Sequence, residues 1–340
     1  MLPSTRSRNR IVTLIVLLIA MLGIVLIASD WHEMRDVLIK ADWRFIPLVL
    51  LFTFLSYTFY SYAYAIVSQM LGIRMGKNEL AEVCFISTIV NHVLTTGGVV
   101  GYSLRYLLMK MYDVTLKDVL SSSILHYYLT SLDMLTFLPL SFIYLMLNGQ
   151  VPRGVAIALG LMTLLFALVL IIFTGFFLFP SKRRPMMLFF AKIAKRILRR
   201  DIVSWMTQLD ETLTQSTQAI RQKPFRLISI MLLTLADFAS SIIAMGFVFD
   251  ALGPAVKAGS LVTGYVIGIM AGLLSMVPGG LGVQEGSMAG IYAMLGVRLE
   301  QAVLAAILFR LMYYLLPYLL ILPFYNRLLV RAGKQVTSKP

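Results

Sequence analysis

Six apolar segments, each long enough to cross a lipid bilayer, dominate the sequence. A spanning α-helix needs about 20 predominantly apolar residues, and only helices or closed barrels satisfy every backbone hydrogen bond inside a bilayer. The six segments lie near residues 11–29, 45–68, 119–147, 154–179, 225–249 and 302–326. The chain is 59% hydrophobic and 14% charged, which is typical of polytopic membrane proteins rather than soluble domains. The sequence therefore predicts an all-α polytopic integral membrane protein with about six full spans.

Two further apolar regions, 80–104 and 258–297, are interrupted by glycines and polar residues. Lys and Arg cluster before the first span, in 181–200 and in the tail, and this pattern places all three in the cytoplasm. With these points fixed, each interrupted region must enter the membrane and return to the side from which it came. We therefore predict two re-entrant helical hairpins that enter from opposite faces. The order of span, hairpin and span then recurs with opposite orientation, as in an inverted repeat.

The whole chain, residues 1–340, is predicted to form a single membrane domain. Its parts are a first span and outer loop (1–44), a first repeat (45–147), a span with a basic cytoplasmic helical segment (148–224), a second repeat (225–330) and a cytoplasmic tail (331–340). Within 181–223, apolar and basic residues alternate at helical spacing, which is typical of a helix lying on an anionic leaflet. This segment is either a topological anchor or a site that selects a lipid.

The break in the second interrupted region is the clearest indication of a site. A helix broken inside a membrane leaves backbone groups unpaired, and these are tolerated only when they are buried in protein or line a wet cavity. Gly279, Gly280 and Gly282 allow close backbone approach, and the helix that restarts near Glu285 points its positive end at the break. That end can bind a phosphate, or Glu285 can occupy it as a first-turn acid.

Ionisable side chains inside spans cost about 2.5–3.5 kcal/mol at mid-helix and usually face a partner or a polar cavity. Arg310 is the strongest candidate, either as the partner of a nearby acid (Glu285 or Asp237) or as a phosphate contact. The other candidate site residues are Arg105, Asn91, His126, Asp133 and Asp237. The tyrosines at 127, 128, 313, 314 and 318 either line an amphipathic path or belong to the interfacial belts.

Motifs for catalysis are missing from the sequence. It contains no HExxH, P-loop or GxSxG pattern and no aspartate cluster that would bind a metal diphosphate. Its three histidines lack metal-site spacing. We therefore expect no enzyme activity, metal or cofactor, and no nucleotide-driven pump. The net charge of +14 lies at the ends of apolar segments, which favours anionic lipid headgroups over a nucleic acid as the partner.

The motifs VPGGLGVQEG and LGVRLEQAVLAAILFRLMYYLLP, within 277–317, resemble the C-terminal signature of the lysylphosphatidylglycerol synthase transmembrane-region family, which includes the UPF0104 proteins. The first half looks like a diverged copy, because Gly98, Gly101, Arg105 and Asp133 fall near family positions. The family's proline before the first glycine motif and its Gly-Glu pair are missing there.

The resemblance implies a fold with inverted repeats and re-entrant helices that moves a lipid across the bilayer. Relatives with synthase activity carry a soluble aminoacyl transferase domain, and this chain, which ends at Pro340, is expected to lack that activity. We therefore expect an ATP-independent phospholipid translocator of the bacterial inner membrane, with both termini cytoplasmic and an anionic lipid as substrate; it can form a homo-oligomer. The alternatives are a membrane-embedded transferase for lipid-linked substrates and a scaffold that acts through 181–223.

Overall fold

The computed structural model describes residues 31–94, 99–147, 153–198, 203–275 and 277–322, and their regular structure is entirely helical. The first six helices are α1 (Trp31–Ile39), α2 (Ile46–Met70), α3 (Lys77–Leu94), α4 (Val99–Met109), α5 (Leu116–Leu147) and α6 (Arg153–Leu178). The next six are α7 (Pro180–Leu198), α8 (Val203–Gln222), α9 (Pro224–Leu252), α10 (Ala258–Leu274), α11 (Val283–Met294) and α12 (Leu299–Arg310). A π-helical turn, Leu311–Leu315, continues α12, and the combined helix reaches Leu322.

Five of the described helices are long and apolar enough to cross a membrane: α2, α5, α6, α9 and α12 with its continuation. Each coincides with a span predicted from the sequence, which confirms the all-α membrane class. The predicted span at 11–29 and the tail at 331–340 lie outside the described residues. The apolar side chains on the outer faces, such as Leu161, Leu164 and Ile171 of α6, are more than half exposed, as expected for helices whose solvent is lipid.

Two groups of four helices, α2–α5 and α9–α12, follow the same order of long helix, two-helix hairpin and long helix. The first helices of the groups, α2 and α9, pack along each other. Each hairpin packs against the last helix of the other group. Helix α10 of the second hairpin contacts α5, and α3 of the first hairpin contacts the turn that continues α12. The opposite orientation of the two groups in the membrane stays a prediction.

The second hairpin is held together by close approach of α10 and α11. Gly264 lies under the ring of Tyr292, where a Cβ would come within 2.3 Å of a ring carbon. Tyr292 is fully buried, and its hydroxyl donates to the carbonyl of Leu261 at 3.0 Å. Gly268 faces Met288 in the same way, one helical turn further along. Small residues at such positions let membrane helices pack backbone to backbone.

The predicted basic segment at 181–223 forms the two helices α7 and α8. Arg183 of α7 is buried and donates to Oδ1 of Asp210 at 2.7 Å, to the carbonyl of Phe177 at 3.0 Å and to the hydroxyl of Thr214 at 2.6 Å. These bonds tie the end of α6, α7 and α8 together, and α8 also packs against α5. The segment therefore packs against the membrane helices.

Gly264→Ala is expected to lower the thermal stability of the purified protein, because the added methyl group would displace the buried ring of Tyr292. Overpacking of this kind costs about 1–3 kcal/mol. Gly290→Ala on α11 is the matched control, since a Cβ there meets nothing within 4 Å and alanine favours a helix. Thermal unfolding in detergent, followed by tryptophan fluorescence, measures both variants. Equal melting temperatures would contradict the packing described for this hairpin.

Candidate functional site: a polar cavity between the two helical groups

The predicted break in the second hairpin is present between α10 and α11. Its turn contains three glycines in the left-handed region, with φ of 61° at Gly279, 64° at Gly280 and 82° at Gly282, a conformation that other residues rarely adopt. The side chain of Glu285 accepts a hydrogen bond from the N–H of Gly282 at 2.8 Å. Glu285, at the third position of α11, therefore caps its own helix by binding the N–H of the N-cap residue, Gly282.

Arg310 of α12 holds the same turn from the other side. Its guanidinium forms an ion pair with Glu285 and donates to the carbonyl of Gly279. Both charged side chains are buried, with 12% of the Arg310 side chain and 4% of the Glu285 side chain exposed. One cation thus satisfies both the acid at the helix start and a carbonyl that the break leaves without a helical partner.

A cavity of about 390 Å³ lies between the two groups of helices. This volume falls in the range of about 300–1,000 Å³ that is typical of small-molecule sites. The wall is formed by both long helices α2 and α9, both hairpins, α5, the glycine turn and the π-helical turn. Both halves of the chain therefore contribute to one site, which is the arrangement expected of a transporter built from repeats.

The cavity reaches the outer surface of the bundle between α5 and α10. Tyr127 of α5 and Leu273 of α10 both line it, and they are 38% and 43% exposed. Thr130 and Ser131, on the same stretch of α5, also line it. Residues of the cavity wall are therefore partly exposed on the lipid-facing surface where α5 and α10 lie.

Arg105 of α4 places a positive charge in the wall of this cavity. Only 4% of the residue is exposed. Its donors reach the hydroxyls of Ser87 at 3.1 Å, Ser123 at 2.9 Å and Thr88 at 3.4 Å. The guanidinium also lies 4.1 Å from the ring centre of Tyr64. Within the residues that the structure describes, none of its contacts is a carboxylate, so the charge is held in place but not neutralised.

Asp237 of α9 places a carboxyl group in the wall of the same cavity. The hydroxyl of Ser56, on α2, donates to its Oδ1, and the hydroxyl of Ser241 donates to its main-chain carbonyl at 3.0 Å. The hydroxyl of Tyr313 lies 3.0 Å from that of Ser241. No Lys, Arg or His in the described part of the chain lies in contact with this carboxylate.

The family model for the lysylphosphatidylglycerol synthase transmembrane region matches residues 11–321. The chain belongs to this family. The UPF0104 membrane protein PH1989 of Pyrococcus horikoshii is 22% identical to it over 320 residues, which cover 89% of this chain and 94% of that protein. A UPF0104 membrane protein of Methanothermobacter thermautotrophicus is 32% identical over 108 residues, which cover 31% of this chain and 29% of that protein. The family match includes both hairpins and every helix that lines the cavity.

The residues that the sequence predicted for the site fall into two sets. The residues that line the cavity are Asn91, Arg105, Asp237, Gly279 and Gly280. The second set lies behind the cavity wall, and of it Glu285 and Arg310 form the ion pair, while Gly282 is the cap residue of α11. Arg310 pairs with Glu285 and not with Asp237, which answers the question that the sequence left open.

His126 and Asp133, both on α5, are buried but do not join either set. The ring of His126 packs edge-on against Tyr60, with 4.3 Å between ring centres, and neither ring nitrogen has a hydrogen-bond partner in the described structure. Oδ2 of Asp133 is likewise buried without a partner among the described residues. Asn91 has a structural bond in addition to its place in the wall, because it accepts from the N–H of Gly101 at 3.0 Å. Gly98 lies outside the described residues.

Of the two interpretations of the tyrosines, the structure favours a polar path for Tyr313 and Tyr314, which are buried and line the cavity. The interfacial-belt interpretation is wrong for this pair. Tyr128 instead stacks on Phe177, with ring centres 4.0 Å apart. The lining residues that the sequence did not single out include Ser56, Tyr57, Ser87, Thr88, Ser241, Tyr265 and Gln284. A hydroxyl inside an apolar helix was the available signal, but many such hydroxyls simply bond to their own helix.

Glu285→Gln is expected to lower the melting temperature strongly, because it leaves the guanidinium of Arg310 buried and unpaired. Breaking a buried pair from one side costs about 3–5 kcal/mol. Arg310→Gln is expected to act similarly by leaving the carboxylate alone. The double variant should lose less than the sum of the two, since neither charge then remains unpaired. A double-mutant cycle measured by thermal unfolding in detergent checks this.

The matched control is the surface pair of Arg298 and Glu33. Its atoms are 2.8 Å apart, but 63% and 51% of the two side chains are exposed. Glu33→Gln is therefore expected to change the free energy of unfolding by at most about 1 kcal/mol. The structural role of the buried pair would be contradicted if the stability losses of Glu285→Gln and Arg310→Gln simply added up in the double variant. It would also be contradicted if Glu33→Gln lost as much stability as Glu285→Gln.

Proposed function

We propose that the protein moves a phospholipid between the leaflets of a membrane without using ATP. The observation that carries this proposal is the polar cavity that opens sideways between α5 and α10. A lipid has a polar headgroup and apolar chains, and it can be moved only if the headgroup finds a polar route across the hydrocarbon region. A lateral opening lets the headgroup enter while its acyl chains stay in the bilayer.

The charge in the cavity supports a phosphate as the group that enters first. Arg105 is buried, fixed by three hydroxyls and free of a counter-charge, and guanidinium groups bind phosphate well because of their planar, forked donors. Arg310 is a poorer candidate than the sequence indicated, because Glu285 already neutralises it. We therefore assign phosphate binding to Arg105 and the support of the glycine turn to Arg310.

The packing of each hairpin against the other group of helices supports alternating access. Both hairpins contribute to the cavity wall, and each packs on the last helix of the other group. A rocking of one group against the other, along the long contact of α2 with α9, would then open the cavity to one side and close it to the other. We propose an inner-membrane location with both termini in the cytoplasm, and no chemical change to the lipid.

Arg105→Gln is expected to slow lipid movement by about tenfold or more, since a lost charge-assisted contact is worth more than 1.4 kcal/mol. The same change should leave the melting temperature unchanged or raise it, because it removes a buried charge that has no counter-ion. Purified protein is reconstituted into vesicles that contain phospholipids with a fluorophore on one acyl chain. A membrane-impermeant reductant then bleaches the outer leaflet, and the slower phase reports exchange between leaflets.

Two variants control this experiment. Arg105→Lys keeps the charge and is expected to retain part of the activity, whereas Arg153→Gln, at the exposed start of α6, is expected to behave like the wild type. Normal exchange by the Arg105→Gln protein would remove the assignment of this residue. Absence of exchange with the wild-type protein, over several lipids and pH gradients, would remove the proposed function. A new lipid species formed by the purified protein would favour a transferase instead.

A further inference from the structure

The cavity contains a buried guanidinium and a buried carboxyl group that do not pair with each other. Arg105 and Asp237 both line it, yet the ion pairs found among the described residues include neither of them. Asp237 is bonded to Ser56 and Arg105 lies over the ring of Tyr64. These two residues of α2 are about two helical turns apart on one face, with Tyr60 of the cavity wall between them. Resting on the function proposed above, we infer that the transported headgroup is zwitterionic, with a phosphate and a primary ammonium joined by a short linker, as in phosphatidylethanolamine.

The surroundings of Arg105 are suited to the phosphate end. Three hydroxyls and the thiol of Cys84, at 3.3 Å, accept its hydrogen bonds. The ionisable groups that interact with Arg105 include Cys84, His126 and the tyrosines at 60, 64 and 102. None of these is a carboxylate. An incoming phosphate therefore meets a positive charge that is already oriented and has no anion to displace.

The surroundings of Asp237 are suited to the ammonium end. One oxygen of its carboxylate accepts from Ser56, and that serine is the one side-chain donor to the carboxylate in the described structure. The hydroxyls of Ser56 and Ser241, 3.0 Å apart, add further acceptors for the three N–H groups of a primary ammonium. The groups that face Asp237 from the neighbouring helices are Ser56 and Tyr57 of α2, Asp133 of α5, Tyr265 of α10 and Tyr313 of the π-helical turn.

The aromatic rings around Asp237 provide a second reason to expect a cation. Tyr57 and Tyr313 stack with ring centres 5.2 Å apart, and Tyr265 completes the wall on the side of α10. Carboxylates flanked by tyrosine faces attract ammonium groups through both the ion pair and the ring quadrupole. Neither Asp237 nor the nearby Asp133 has a basic partner in the described structure, so a bound ammonium would be the first counter-charge for Asp237.

A lipid with a phosphate alone would match only one end of this cavity. It would leave the charge of Asp237 buried without a partner, and it would bring a second negative charge close to it. A zwitterionic headgroup neutralises both ends at once, which is the stronger form of charge complementarity. The headgroup preference inferred from the cavity therefore differs from the anionic lipid that the net charge of the whole chain indicates.

The experiment compares three lipids that carry the same acyl-chain fluorophore in the vesicle assay. These are phosphatidylethanolamine, phosphatidylglycerol, which has a hydroxyl in place of the ammonium, and N-acetyl phosphatidylethanolamine, which has lost the positive charge. The wild-type protein is expected to exchange the first about tenfold faster than the other two, a factor that corresponds to 1.4 kcal/mol. This comparison needs no variant and so does not depend on the folding of one.

Asp237→Asn then tests the assignment of the ammonium end. It is expected to abolish the preference, so that phosphatidylethanolamine and phosphatidylglycerol exchange at about the same rate, whereas Arg105→Gln is expected to slow all three lipids. Melting temperatures of both variants report their folding. Equal rates of the three lipids with the wild type would overturn the inference but leave the translocator function intact. An equal slowing of all lipids by Asp237→Asn would also overturn it, because Asp237 would then bind a coupling cation. Absence of any exchange would overturn both.

Discussion

The ion pair between Glu285 and Arg310 is the interaction on which the site depends, because a helix broken inside a bilayer must find partners for its freed backbone groups. Glu285 accepts from the N–H of Gly282, and Arg310 donates to the carbonyl of Gly279. Since these two side chains also neutralise each other, the turn is stabilised without adding net charge to the interior. The glycine turn can therefore form part of a cavity wall at membrane depth.

The two buried arginines have different roles because of their neighbours. Arg310 faces an acid and an orphan carbonyl, so its charge is used within the protein. Arg105 faces hydroxyls, a thiol and tyrosine rings, and its charge remains available to a ligand. Burial of an ionised side chain without a counter-ion destabilises a protein. Such a group at a cavity wall is therefore a better indication of function than a buried ion pair, which structural needs alone can explain.

The fold was more predictable from the sequence than the site, for a physical reason. Hydropathy and glycine act locally, so the helices α2, α5, α6, α9 and α12 and the break before α11 follow from short stretches of residues. The cavity depends on tertiary packing instead. Ser56 and Ser241 are 185 positions apart and look like ordinary hydroxyls in apolar helices until α2 packs on α9. The roles of Arg105 and Arg310 could not be separated either, since only the fold shows which one has a counter-charge.

The π-helical turn at Leu311–Leu315 gives α12 two different registers. A π-turn contains one residue more than the α-helical turn it replaces, and each residue of a helix turns the chain by about 100°. Upstream of this turn, the register is set by Arg310, which must face Glu285. Within the turn, Tyr313 and Tyr314 both reach the cavity. The length of this segment therefore controls which side chains form the wall, and a one-residue deletion would change the lining without substituting any residue of the cavity.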